Sequence, residues 1–177
     1  MTRSMYEIVR IDVAGLSRNI DDLCRILIDS VANGAAISFM APLAREDAEK
    51  FWLSDVKSAI DCGTRHLFGA FAGDRLVGTV QLIVGMPPNQ PHRAEISKMV
   101  VHPDARRLGV GKALLQKAFE TARRSGKSLA TLDTRTGDVS EQFYRSVGFQ
   151  EAGSIPYFAF DPDGEALHAT TYMYMHL

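Results

Sequence analysis

The residues best suited to chemistry stand together in Met99-Val100-Val101-His102-Pro103-Asp104-Ala105-Arg106-Arg107-Leu108-Gly109-Val110-Gly111-Lys112-Ala113-Leu114-Leu115. An apolar strand leads through a proline into a turn punctuated by two glycines, and a helix starts directly after it. A helix N-terminus presents unpaired N–H groups and the positive end of its dipole, so a junction of this kind binds phosphate. Arg106 and Arg107 add charge and bidentate donors, and a glycine at 109 or 111 removes a Cβ that would strike a pyrophosphate lying on the turn. The surrounding charge agrees with such a ligand. Between Arg93 and Lys127 there are nine basic and three acidic residues, a local +6 inside a chain of net charge -1. A cationic third in an anionic whole suits a compact, multiply charged anion.

Two common phosphate loops do not fit. A Walker loop requires a glycine five positions before Gly111 and a Ser or Thr after Lys112, but the chain has Arg106 and Ala113 there. A dinucleotide fingerprint requires a third glycine where Leu114 stands, although Asp133 is suitably distant for a ribose contact. Arg106-Arg107-Leu108-Gly109-Val110-Gly111 instead resembles the Q/R-x-x-G-x-G/A motif of the GNAT N-acetyltransferases, preceded by their V-x-P strand end at Val101-His102-Pro103. A second landmark follows: Phe143-Tyr144-Arg145-Ser146-Val147-Gly148-Phe149 is similar to the family's F-Y-x-x-x-G-F signature. The match extends from about Leu67 to Leu177, and the two N-terminal helices fit the family's variable acceptor side.

The resemblance implies acetyl-CoA as cosubstrate, with no metal. Its pyrophosphate would lie on the amides of Arg106, Arg107, Leu108, Gly109, Val110, Gly111 and Lys112. The pantetheine arm would run beside Ile96 to Val101, with the backbone of Met99, Val100 and Val101 pairing with the arm or polarising the thioester while their side chains pack in the core. Acetyl transfer to an amine also needs a proton acceptor, because a primary amine is mostly protonated at pH 7. Glu95, on the motif strand, and Asp133, on an apolar strand where an unpaired carboxylate is costly, are the candidates. Tyr144 takes the family's acid role: a phenol of reference pKa about 10 stays protonated and can donate to a departing thiolate. Phe143 and Val147, one turn apart, are expected to form the buried face and leave Tyr144 turned aside. The asparagine common after the fifth strand is missing, with Thr134, Arg135 and Asp138 in its place.

For the acceptor, Phe39, Met40, Trp52, Tyr157 and Phe158 are candidate pocket residues, and Arg75, Arg93 and Arg135 candidate carboxylate partners. Within the family, the chain resembles members that act on an amino-acid-like β-lactam toxin. The implied partner is therefore a small-molecule amine, with a protein or peptide acceptor, or a non-catalytic acyl-CoA-binding module, as the alternatives. The sequence does not show oligomeric state. His66, His92, His102, His168 and His176 share no metal-ligand spacing and read as ordinary strand and loop residues.

These groups must be positioned by one domain spanning 1–177, since 177 residues with 46% hydrophobic content support one well-buried core. The near-neutral net charge argues against a polyanionic nucleic-acid partner. No apolar run reaches membrane-spanning length and the first residues lack a secretory core, so a cytoplasmic location is expected. Cys24 and Cys62 both read as small core residues. In order, the pattern gives a strand from Met5 to Ile11, a helix capped by Ser17 or Asn19 and ended by Gly34, and a helix from Arg45 to Gly63. A hairpin follows with strands Leu67 to Ala72 and Leu76 to Val84, then strand Ala94 to Val101 and the motif helix ended by Gly126. Strand Leu129 to Thr134, a helix from Asp138 to Val147, and strands Phe149 to Phe160 and Leu167 to Leu177 complete the chain. The expected class is α/β with a mixed sheet (α+β): about seven mostly antiparallel strands, one parallel pair splayed at the motif strand, and about four flanking helices.

Overall fold

The computed structural model describes residues 6–177. Met5, where the first expected strand begins, and the residues before it lie outside the described residues. Seven strands form one sheet in the order β1-β2-β3-β4-β5-β7-β6. They are β1 (Glu7–Ile11), β2 (Arg65–Ala72), β3 (Arg75–Ile83), β4 (Arg93–Val101), β5 (Leu129–Arg135), β6 (Gln150–Phe160) and β7 (Leu167–His176). Alternation of apolar and polar residues in β3 and β4 places Val80, Leu82, Ala94 and Ile96 on one face of the sheet, and Gln81, Glu95 and Ser97 on the other.

Helix α5 (Val110–Arg124) covers the first face with the stripe Val110, Leu114, Leu115, Ala118, Phe119 and Ala122, each at most 7% exposed. Its 3.6-residue period and lack of internal Gly or Pro after Gly111 make that stripe continuous. Full burial of each leucine contributes about 2 kcal/mol. The opposite face is covered by α2 (Ile20–Ala32), through Leu23, Cys24 and Leu27, and by Trp52 and Val56, which meet Leu67, Leu76 and Val100. Among the described residues no helix is long and apolar enough to cross a membrane.

Among the described residues only β4 and β5 run parallel, and they pair at just three positions, Arg93↔Leu129, Ala94↔Ala130 and Glu95↔Thr131. Beyond Glu95 the two strands part, so the β5-facing backbone edge of Ile96 to Val101 lines a fork. A bulge reinforces the parting: Thr79 opposes Val100 and Gln81 opposes Ser97, so Val80 on β3 faces two residues, Lys98 and Met99. Lys98 sits in the bulge with φ 46.

Several expectations need correction. A short helix α1 (Val13–Arg18) precedes α2. Asp12 caps it by accepting from the Gly15 N–H at 2.6 Å, and Ser17 lies inside it. Asn19 stands between the two helices, but its side chain donates backwards to the Gly15 carbonyl and does not cap α2. The helix expected from Arg45 runs as α3 (Arg45–Lys50), a π-helical turn (Phe51–Val56) and α4 (Lys57–Asp61), with the wider turn burying both Trp52 and Val56. Cys24 is in the core, but Cys62 is exposed, because α4 ends at Asp61 and the helical period no longer applies. In α6 (Val139–Ser146) it is Tyr144 that turns inward, at 7% exposure, while Phe143 and Val147 are only partly buried. Tyr144 packs edge-on against Phe149 and Phe143, so aromatic packing orients the helix.

Candidate active site

The anion junction is built from backbone. After β4, His102 leads into a short 3-10 turn (Pro103–Ala105), and Arg106 donates from Nε to the Val101 carbonyl at 3.2 Å, closing the strand end. Arg107 (φ 62) and Gly109 (φ 81) are both left-handed, which swings the chain into α5. Gly109 is the N-cap, and no side chain caps the helix. The first intrahelical bond there runs from Ala113 N–H to Gly109 O, which leaves the amides of Val110, Gly111 and Lys112 without helical acceptors. The first turn holds no acidic residue, and Arg106, Arg107 and Lys112 surround it. This arrangement fits a pyrophosphate. The two glycines serve different ends: Gly109 supplies the positive φ, whereas a Cβ on Gly111 would come to 3.3 Å from Phe143 Cζ, so Gly111 allows α5 to approach α6.

The fork brings the candidate chemical groups to its two sides. Met99 and Val101 send their side chains toward the α5 core and Val100 toward the α2 core, leaving only backbone to line the opening. Glu95 sits at the apex, paired with Arg93 at 3.2 Å, and Arg93 also donates to Gln90 and Thr131. Asp133 is on the far arm, exposed to a cavity and accepting from Thr170 Oγ1 at 3.1 Å. Burial, with a smaller contribution from Asp133, pushes the Tyr144 hydroxyl well above the usual phenol range. It keeps its proton, and it makes no hydrogen bond with the described residues. Asp133 therefore lies within electrostatic reach of both Tyr144 and Lys98.

The cavity, about 280 Å³, is roofed by the loop between α2 and α3, with Ser38, Phe39 and Met40 facing inward. Its floor comes from Asp133 and Arg135 on β5, and its wall from Phe158, Phe160, His168 and Thr170 on β6 and β7. Arg135 donates from Nη2 to Asp161, which also pairs with His168 Nδ1 at 3.0 Å. Of the acceptor candidates read from sequence, Phe39, Met40, Phe158 and Arg135 meet here. Trp52 is core at 1% exposure, Tyr157 points to solvent at 77%, Arg75 lies at the β2–β3 turn and Arg93 at the closed end of the fork. Sequence reasoning missed His168, Thr170 and Asp161, although the alternation His168, Thr170, Tyr172 along β7 marks one face. It also missed Lys98, whose ammonium donates to Ile37 O and Ser38 Oγ, both at 2.8 Å. Among the described residues no three His, Cys, Asp or Glu side chains group as a metal site.

The strand-to-helix anion junction thus stands beside a forked parallel pair. Residues 30–149 match the model of the Acetyltransferase (GNAT) family, and the chain belongs to that family. It is 32% identical over 119 residues to an uncharacterized N-acetyltransferase from the hisH-hisA intergenic region of Azospirillum brasilense, covering 66% of this chain and 68% of the relative. It is 34% identical over 92 residues to a UPF0039 protein of Schizosaccharomyces pombe, covering 52% of this chain and 59% of that protein's length. The yncA structure from Salmonella typhimurium, solved with its cofactor acetyl-CoA, superposes with a TM-score of 0.78 at 18% identity, covering 97% of this chain and 94% of the other. At that identity the likeness concerns the fold.

Proposed function

We propose that this protein transfers the acetyl group of acetyl-CoA to the primary amine of a small amino-acid-like acceptor held beneath the α2–α3 loop. The observation that carries this reading is the position of Asp133 and Arg135, two residues apart on one strand face and so about 7 Å apart, in a partly open cavity beside the fork. Asp133 receives the proton of the acceptor ammonium, directly or through water, which frees the nitrogen lone pair. Asp161 engages one nitrogen of Arg135, and the rest of the guanidinium is available to an acceptor carboxylate. Phe39, Met40 and Phe158 offer apolar surface to the body of the acceptor.

When bound, acetyl-CoA supplies a thioester acyl group. The uncapped amides of Val110 to Lys112 hold its anionic end, and the backbone of Met99, Val100 and Val101 offers donors where negative charge develops on the acyl oxygen. As the new C–N bond forms and the C–S bond breaks, Tyr144 donates its hydroxyl proton toward the sulfur. Glu95, already paired with Arg93, is the second proton acceptor, reached through water along the fork.

A β-lactam amino acid such as tabtoxinine-β-lactam carries an ammonium and a carboxylate on a compact body, and its acetylation would be a resistance reaction. The unpaired exposed Cys62 and the need for acetyl-CoA suit a cytoplasmic setting. The test is thiol release from acetyl-CoA over a panel of free amino acids, their amides, this β-lactam and short peptides. Turnover is expected for free amino acids, with KM raised for the amides. Turnover of peptides alone, or of no amine by protein that binds acetyl-CoA, would sink the proposal.

A further inference from the structure

Among the described residues, four non-glycine residues have positive φ: Ser38, Lys98, Arg107 and Tyr157. Arg107 belongs to the anion junction and Tyr157 adjoins a β6 bulge next to the cavity wall. Ser38 (φ 71) and Lys98 (φ 46) are bonded to each other across the chain. Such conformations cost free energy and persist only where the surroundings impose them, which concentrates them at functional sites. Lys98 is an unusual occupant of a strand bulge: its side chain crosses from β4 to the loop, gives two hydrogen bonds at 2.8 Å, and stands 5.6 Å over the Phe39 ring. The loop's other end is fixed by Ala41 N–H donating to Pro162 O at 2.7 Å, with Met40 Cε lying 3.5 Å from where a Cβ on Gly164 would stand. The loop thus spans from the β4 bulge to the β6–β7 turn. On its far side lies a larger, more open hollow of about 430 Å³, also lined by Ser38, Phe39 and Met40. One loop separates the two spaces.

We propose that Lys98 is a positioning residue that pins this partition and thereby sets the size of acceptor the enzyme accepts. The proposal rests on the acetyltransferase reading above. Lys98 lines neither space, so it acts through Ile37, Ser38 and Phe39. Its ammonium is held where burial favours the neutral amine, opposed by Asp133 and Glu95, with Arg65 adding to the burial effect. The two bonds to the loop are what retain it there. Without them the Ser38 conformation loses its support and the partition yields toward the open hollow.

The test compares Lys98→Met, which keeps the apolar stem, and Lys98→Arg with the wild type. For Lys98→Met we expect acceptor KM to rise about tenfold or more for the smallest amino acids, as two charge-assisted hydrogen bonds are lost. Bulky acceptors should lose less, so the preference for small ones falls, while acetyl-CoA affinity stays within about threefold. Lys98→Arg should recover most of the loss. Unchanged acceptor KM and size preference in folded Lys98→Met would overturn the proposal, as would an equal loss for cofactor and acceptor. If the wild type binds acetyl-CoA yet acetylates nothing, the acetyltransferase reading fails instead. Hydrogen exchange then decides the pinning: protection lost in residues 33–44 but kept in 110–124 supports it, and unchanged protection in 33–44 rejects it.

Discussion

Placing a glutamate at Gly109, with Gly126→Ala as its control, separates anion binding at the α5 junction from backbone strain at the same helix. Gly109 caps the start of α5 with φ 81, and Gly126 follows its end with φ 73. An L side chain in the left-handed region costs about 1–2 kcal/mol, which lowers Tm by roughly 2–8 °C in a chain of this length. Both variants carry that cost. A Cβ at Gly126 meets nothing within 4 Å, whereas at Gly109 it comes to 3.1 Å from the Tyr6 hydroxyl oxygen. The decisive difference is the charge. A carboxylate at the N-cap folds back onto the amides of Gly111 and Lys112, the groups assigned to the pyrophosphate. Two unit charges about 5 Å apart at an effective dielectric of about 20 repel by about 3 kcal/mol, or roughly a hundredfold in Kd. Calorimetric titration with acetyl-CoA should show that loss for Gly109→Glu and a Kd within about twofold of wild type for Gly126→Ala. Wild-type affinity in Gly109→Glu, or an equal loss in Gly126→Ala, would remove the junction from the binding argument.

Tyr144→Phe keeps the edge-on packing with Phe149 and should lower kcat by about a hundredfold while sparing acetyl-CoA affinity; unchanged turnover in a chemistry-limited assay rejects the assigned donor. Asp133→Asn should cut kcat/KM by about a hundredfold at pH 7, with recovery as pH rises and the acceptor loses its own proton; a pH-independent deficit contradicts the base assignment. His66 has a partnerless buried Nδ1, and burial, helped by Arg10, lowers its pKa below the ordinary 6.5. The unfolded chain then binds more protons than the folded one as pH falls below about 6.5, so stability declines in that direction. Comparing Tm at pH 7.5 and 5.5, His66→Gln should lose less than wild type, and an identical loss would clear His66 of that role.

The junction from Met99 to Leu115 was legible because all its parts are consecutive: a strand, two turn glycines and a helix start define where the amides go. The strands were legible by alternation, and errors fell where a neighbour overrode local pattern. Phe143 and Val147 have the spacing of a buried stripe, but the aromatic pocket around Phe149 took Tyr144 instead. Cys62 continues the apolar period of its helix, yet the helix stops one residue earlier. Glu95 on the motif strand and Asp133 on an apolar strand were both legible as candidate proton acceptors, but not their surroundings: Arg93 reaches the first and the cavity opens beside the second.

Local residue order thus determined the elements, the anion junction and the family landmarks, since each depends on groups within one or two turns of chain. The cavity proposed for the acceptor was decided only in three dimensions. Insertion of β7 between β5 and β6 brings His168 and Thr170 beside Asp133 and Arg135, and the loop after α2 reaches them from the opposite end of the chain. Nor does any spacing announce Lys98: a lysine in a strand reads as a solvated side chain until the bulge turns it toward Ile37 and Ser38. Contacts between distant segments follow from sheet order and closure, which carry no periodic signal in the sequence.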